Sequence, residues 1–241
     1  MSHRFVAFRT VGVGDMPSIV QGFRLIPSKY PTIDIFDDVS NQEEFEALYQ
    51  LQALTNPRLA NEVGDMSLLD HKEIPFHCER GRSYAIAAFT HINRDGSRFA
   101  DGDHGMLYIG NSEKTATKEV QFHQAKYWCN VTGLKYDRII FRTLKFTFND
   151  SSCVDITDKL MSDSIYDPDN YLTAQKFGLK VYMNRAETTG IKYNSVRSDN
   201  GVCWALSTPY VVHDVIQCSH TEMVWNGNEI KHVDKIKRMK L

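Results

Sequence analysis

Between His104 and Cys129 the chain reads HGMLYIGNSEKTATKEVQFHQAKYWC. The run HGMLYIG has the length and apolar character of a buried strand. Asn111 or Ser112 then caps a helix over SEKTATKEVQFHQAKYWC, with Ala116, Val120, Tyr127 and Trp128 turned inward. A connection of this kind brings side chains from loop, strand and helix to one cleft. Nothing around it repeats the unit: strand and helix patterns are mixed along the chain without regular alternation. That order predicts an α+β fold of mixed short β-sheets flanked by helices, not a doubly wound sheet.

The other elements follow from local signals. RFVAFRTV and GFRLIP read as short extended pieces, separated by the breaker GVGDMPS and ended by Pro27 and Pro31. In SNQEEFEALYQLQALTNPRL, Ser40 and Glu43 form a capping box, and Phe45, Leu48, Leu51 and Leu54 recur at helical spacing up to Asn56-Pro57. Residues 57–75 read as loop or short helix. SYAIAAFTHI, a short apolar run, is read as a strand. RIIFRTLKFTF alternates as a strand, AQKFGLKVYMNRA is helical, and GIKYNSV, GVCWALST and EMVW supply later strands. No repeat breaks the 241 residues, which are read as one domain, 1–241. Its core is set at about 20–215, with an N-terminal strand, a helical insertion and a basic C-terminal tail.

Composition excludes several functions. With 42% hydrophobic and 24% charged residues the chain is globular, and a formal charge of -2 gives no global pull towards nucleic acid. The tail KIKRMKL is read as a solvated end before a nucleic-acid or membrane contact. Five widely spaced cysteines without a CxxC pair, and no signal peptide at the N-terminus, point to reduced thiols in a cytoplasm. No run is long enough to span a membrane. Nine histidines lie scattered, with no HExxH and no zinc spacing, so no metal is expected. There is no Walker A motif, and GVGDMPS lacks the spacing of a dinucleotide fingerprint.

Arg98, Tyr108 and Glu119 fall at steps of ten and eleven residues across a loop, a strand and a helix. Arginine offers a planar fork for phosphate oxygens, tyrosine a ring and a hydroxyl, and glutamate an acceptor for a sugar hydroxyl or a counter-charge for a cation. Read singly, each also fits a plain role: a surface ion pair, a core ring with its hydroxyl at the rim, a solvated helix residue.

GFRLIPSKYP, FTHINRDGSRFADGDHGMLYIGNSEKTATKEVQFHQ and GIKYNSVRSDNGVCWALSTP, in that order, resemble the three signature blocks of the RES domain family, from about Phe23 to about Pro209. The resemblance implies a fold similar to ADP-ribosyltransferases and a toxin of a bacterial toxin-antitoxin pair that degrades NAD+. By motif position it assigns Arg98, Tyr108, Glu119 and Ser195 to the site, with Arg24 as a further basic residue. It also implies an Xre-type antitoxin partner carrying a helix-turn-helix and the DNA binding, and leaves a homodimer within the complex open. Two departures stand out. Phe23 takes a place where Tyr is often found, and SDNG replaces the more usual Pro-Gly-Gly turn beside Ser195.

No cofactor is implied, because NAD+ is the substrate. Nicotinamide is cationic on the ribose and leaves neutral, so the barrier lies in an oxocarbenium-like ribosyl centre. On that reading Arg98 and Arg24 clamp the pyrophosphate, and Tyr108 lines the nicotinamide ribose. Glu119 binds a ribose hydroxyl and favours the neighbouring positive charge, and Ser195 hydrogen-bonds nicotinamide or phosphate. Arg82 or Arg197 is a candidate to help place inorganic phosphate as co-substrate, with water as the other acceptor.

Overall fold

Strand β1 (Ile19–Pro27) is the hinge of the architecture. The computed structural model describes residues 18–29, 39, 41–55 and 64–236. Among them lie helices α1 (Gln42–Thr55), α2 (Arg82–Thr90), α3 (Glu113–Cys129) and α4 (Leu172–Met183). Strands β2 (Leu107–Gly110), β3 (Asp137–Asn149), β4 (Cys153–Asp155) and β5 (Gly190–Asn194) precede β6 (Val202–Leu206), β7 (Val212–Trp225) and β8 (Ile230–Ile236). The strands form one sheet in the order β4-β5-β6-β2-β1-β3-β7-β8. All pairs are antiparallel except β4 with β5. This is the mixed α+β arrangement that the sequence predicts.

β1 pairs with β3 along its whole length, from Ile19↔Asn149 to Pro27↔Phe141. With β2 it shares one register pair, Phe23↔Gly110. The sheet is therefore two well-paired halves joined at a narrow seam.

Alternation along the strands sends side chains to opposite faces. On one face, Leu107, Ile109, Leu144, Phe146 and Phe148 pack with Phe45 of α1 and with Ala85, Ile86 and Phe89 of α2. The other face carries two clusters. Ala116 and Trp128 of α3 meet Leu25, Phe141, Met223 and Trp225. Ala174 and Val181 of α4 meet Ile191, Tyr193, Cys203 and Ala205.

SYAIAAFTHI is a helix, α2, where the sequence reading expected a strand. Its buried residues, Arg82 and Ser83, Ala85 and Ile86, Phe89 and Thr90, recur at helical spacing, and three alanines favour that conformation. Tyr127 is 65% exposed, not inward. The last turn of α3 is fastened through Trp128, which donates to Asp137 (2.8 Å) and packs on Trp225, and this turns Tyr127 outward. Leu51 of α1 is also exposed, while Phe45 is buried. The α1 cap is Asn41, whose side chain accepts from the Glu44 N–H; Ser40 and the segment RFVAFRTV lie outside the described residues. Between 64 and 75 the chain makes two short 3-10 turns, each capped by an aspartate, Asp65 and Asp70.

Candidate active site

The passage from β2 into α3 is tight. A Cβ on Gly110 would stand 2.9 Å from the Ala116 nitrogen, so a larger residue would push strand and helix apart. Ser112 caps the helix, accepting from the Thr115 N–H at 3.1 Å. Glu119 follows, half-buried, and its Oε1 accepts from the Ser195 hydroxyl at 2.6 Å. Ser195 stands just past the end of β5 and is 6% exposed. Its oxygen also accepts from the backbone N–H groups of Arg197 (3.1 Å) and Ser198 (3.0 Å). One hydroxyl thus ties a carboxylate to a loop.

That loop is the SDNG departure. It is closed by Ser195 N–H to Gly201 O (2.8 Å) and Gly201 N–H to Ser198 O (2.9 Å). Asn200 takes a left-handed conformation, φ 57°, which asparagine tolerates better than most residues. A Cβ on Gly201 would lie 2.9 Å from Thr115 Cγ2 and 3.0 Å from Ser195 Cβ, so the loop packs against the start of α3. The Cys203 sulfur lies 4.0 Å from Glu119 Oε1. Burial, and then the nearby Glu119, push the Cys203 thiol pKa up, so it stays protonated. The carboxylate is held by two neutral groups.

The cationic half comes from the loop before β2 and from β1. Arg98 is 8% exposed; its Nη1 donates to the carbonyls of Asp167 (2.9 Å) and Ile165 (3.3 Å), and its guanidinium lies over the Tyr171 ring, 4.6 Å from the centroid. The Tyr108 hydroxyl accepts from the Phe99 N–H (3.0 Å) and is bonded to Ser97 Oγ (2.8 Å). Burial pushes its pKa up to about 12, so the phenol is neutral. Tyr108 thereby holds the turn that carries Arg98. Arg24 projects into the seam between β1 and β2 and donates from Nη1 to the Tyr108 carbonyl at 3.1 Å. Burial lowers its pKa. Gln175 of α4 donates to Ser97 O (3.1 Å) and braces the same turn from below.

Tyr193 joins the two halves. It is 4% exposed, edge-on to Phe99 at 4.9 Å, and lies near Cys203, Glu119, Tyr108 and Arg98; burial raises its pKa well above the usual value. The structure thus gathers Arg24, Arg98, Tyr108, Glu119 and Ser195 into one region. Arg197 stands at its rim, its guanidinium 3.4 Å from the Phe122 ring centroid and donating to Pro168 O. Arg82 does not belong to it. Only 2% exposed, Arg82 donates to the carbonyls of Pro75, Val39 and Phe76, and so knits α2 to its neighbouring turns. Sequence reasoning missed Tyr193, Cys203, Tyr171 and Phe122. For Tyr193 a signal existed, since it alternates with inward Ile191 in GIKYN; Tyr171 and Phe122 carry none.

Among the described residues no carboxylate lies within ion-pair distance of Arg24, Arg98 or Arg197. Nor do three or more His, Cys, Asp or Glu gather as a metal site there. The described residues also contain no helix long and apolar enough to cross a membrane. What converges is a set of guanidiniums without a described ion-pair partner on one side, with the Asp167 carboxylate near Arg98 but bonded to its own turn, and a fixed carboxylate on the other. That pairing suits a ligand with an anionic end and a centre that becomes cationic.

The RES domain family model matches residues 74–226. The uncharacterized protein y4oC of Sinorhizobium fredii (strain NBRC 101917 / NGR234) is 25% identical over 209 residues, which covers 86% of this chain and 84% of that protein. A chain of the crystal structure of the M. tuberculosis MbcT-MbcA toxin-antitoxin complex aligns with 12% identity and a TM-score of 0.36, over 52% of this chain and 73% of its own length.

Proposed function

From the premise that the chain belongs to the RES domain family, we propose that it is an NAD+-degrading enzyme that breaks the nicotinamide–ribose bond and acts as the toxin of a toxin-antitoxin pair. The observation that carries the reading is the Glu119 carboxylate, held by Ser195 at 2.6 Å and gathered with Arg98 and Tyr108 around Tyr193. Arg98 and Arg24 would receive the pyrophosphate. Glu119 would accept a ribose hydroxyl and stabilise positive charge as nicotinamide departs with the bonding electrons. Tyr193 and Tyr108 would wall the ribose on either side, excluding water from the developing cation.

Ser195 supports this chemistry through Glu119. Its hydroxyl proton points to the carboxylate, and its lone pairs receive two backbone N–H groups, so it is no activated nucleophile. The acceptor for the ribosyl centre is phosphate or water. Arg197 at the rim has no ion-pair partner among the described residues and suits a phosphate. The fold relation to ADP-ribosyltransferases, the Xre-type antitoxin and the cytoplasmic site of action enter with the family reading. So does the assignment of DNA binding to the partner.

The test is to incubate purified protein with NAD+ in phosphate-free buffer, to titrate in inorganic phosphate, and to identify products by mass spectrometry. Release of nicotinamide is the expected result, with ADP-ribose phosphate as the second product if phosphate is the acceptor and ADP-ribose if water is. Nicotinamide released together with label retained on protein, and without free ADP-ribose or its phosphate, would transfer the reading to protein ADP-ribosylation. No loss of NAD+ by either route would overturn it.

A further inference from the structure

Arg98 is asked to meet an anion, yet it sits on a loop turn before β2 and not on a strand or helix. An arginine carries several rotatable bonds, and ordering them only when substrate arrives would weaken binding. The structure shows how the guanidinium is fixed beforehand. One edge of its fork is bound by the carbonyls of Ile165 and Asp167, and one face rests on Tyr171, 4.6 Å from the ring centroid. All three residues belong to the segment that leads into α4. Its turn is itself rigid: the Asp167 carboxylate accepts from the Asp169 and Asn170 N–H groups at 2.9 and 2.8 Å, and the Asn170 side chain accepts from the Leu172 N–H at 3.1 Å. Arg197 holds the same segment from the rim through Pro168 O.

We infer that Tyr171 is a positioning residue for the anion-binding arginine: its ring, together with the Ile165 and Asp167 carbonyls, sets the plane in which the Arg98 fork meets the pyrophosphate of the substrate. The assignment rests on the proposed reading of Arg98 as pyrophosphate ligand. Three features distinguish it from general packing. A guanidinium is attracted to the ring face electrostatically, and more strongly where water is excluded. No described carboxylate lies at ion-pair distance from Arg98, and the nearby Asp167 carboxylate, which feels its charge, is bonded to its own turn, so the ring and two carbonyls are the direct described partners. And Tyr171 is absent from the buried cores that carry the fold. Removing the ring should therefore loosen the arginine more than the protein.

The experiment compares wild type, Tyr171→Phe, Tyr171→Leu and Tyr171→His by calorimetric titration with NAD+ and with inorganic pyrophosphate, alongside steady-state kinetics and thermal melts. Tyr171→Phe keeps the ring and should bind like the wild type. Tyr171→Leu should bind both probes roughly threefold to thirtyfold more weakly. The change should appear in KM with kcat nearly constant. Tyr171→His supplies an arm that survives if the leucine variant does not fold. At pH 8 its neutral ring supports Arg98; at pH 5.5 the imidazolium repels it, so affinity falls on acidification more than in the wild type. Wild-type protein that binds neither probe would overturn the substrate reading, and this assignment with it. Wild-type protein that binds, with Tyr171→Leu binding equally and Tyr171→His showing no added pH dependence, would overturn the Tyr171 assignment alone.

Discussion

Removing the Ser195 hydroxyl is the sharpest test of the site's internal mechanics, because its outcome does not depend on knowing the substrate. In Ser195→Ala three bonds vanish together: one to the Glu119 carboxylate at 2.6 Å and two from the N–H groups of Arg197 and Ser198. A hydrogen bond to a charged group contributes about 1.5–3 kcal/mol, and a buried N–H left without an acceptor costs about 1–3 kcal/mol. Ser198 is buried, while Arg197 reaches the surface, where water can replace one lost bond. A net loss of about 2–4 kcal/mol follows. For a chain of this size that lowers Tm by about 5–15 °C. The same substitution in a Glu119→Ala background removes only the backbone part, so the cycle should show a coupling of about 1–2 kcal/mol between the two side chains. Thermal and urea unfolding of the four proteins, followed by circular dichroism, measures it. Equal costs of Ser195→Ala in both backgrounds would mean that the hydroxyl does not hold the carboxylate, and the account of Ser195 would be wrong.

Glu119→Gln keeps an acceptor but loses the charge, and turnover of NAD+ should fall roughly 10²- to 10⁴-fold with binding retained; single-turnover rates and affinities separate the two effects. Gly178→Ala in α4 should destabilise although alanine favours helix, because its Cβ would fall 2.0 Å from Phe99 O, beside Arg98. A melt at or above the wild-type temperature would contradict that contact. Acid should weaken the fold before the carboxylates titrate. Burial holds the pKa of His104 below the ordinary 6.5, so it contributes stability that is present above 6.5 and is lost as the pH falls through its folded value, whereas His77 and His123 are exposed and contribute little. His104, 4% exposed, should dominate, and His104→Phe should flatten the decline between pH 7 and 5 in unfolding experiments.

Elements with a local signal were legible in the sequence. β2, its cap and α3 were read from one continuous stretch, because strand, Ser112 and helix are neighbours in the chain. α2 was not, since a nine-residue apolar run fits a buried strand as well as a buried helix until its neighbours are known. β7 was recognised only at its end: shifts of register opposite Thr143/Leu144 and Thr147/Phe148 break the alternation that would have revealed its first half. β8 and β4 gave no pattern, one being a charged edge strand and the other three residues long. At the site, motif position named Arg24, Arg98, Tyr108, Glu119 and Ser195. It could not say what they touch, because the decisive bond spans 76 residues between Ser195 and Glu119. Arg82 misled for the same reason, since a buried arginine bonded to carbonyls looks in sequence like one that awaits a phosphate.

The seam between β1 and β2 explains why the site forms where it does. A sheet paired along its full width would satisfy the Tyr108 carbonyl with a strand N–H, and no side chain could enter. Here the ladder stops after Phe23↔Gly110, and the Arg24 guanidinium supplies the missing donor. The substitution fills the hydrogen bond but brings a full charge into a half-buried place, and no described carboxylate neutralises it. An arginine stays charged under such conditions, so the field at the seam remains positive. Arg98, fixed a turn away by Tyr108's own hydroxyl contacts, adds to that field. Arg24 also lies outside residues 74–226, so the family match alone would leave out one of the site's cations. On the proposed reading the seam, the two guanidiniums and Glu119 would act as one electrostatic device, the break in the sheet admitting a cation that would draw the substrate's anionic end while Glu119 would favour the positive charge that develops on the ribose.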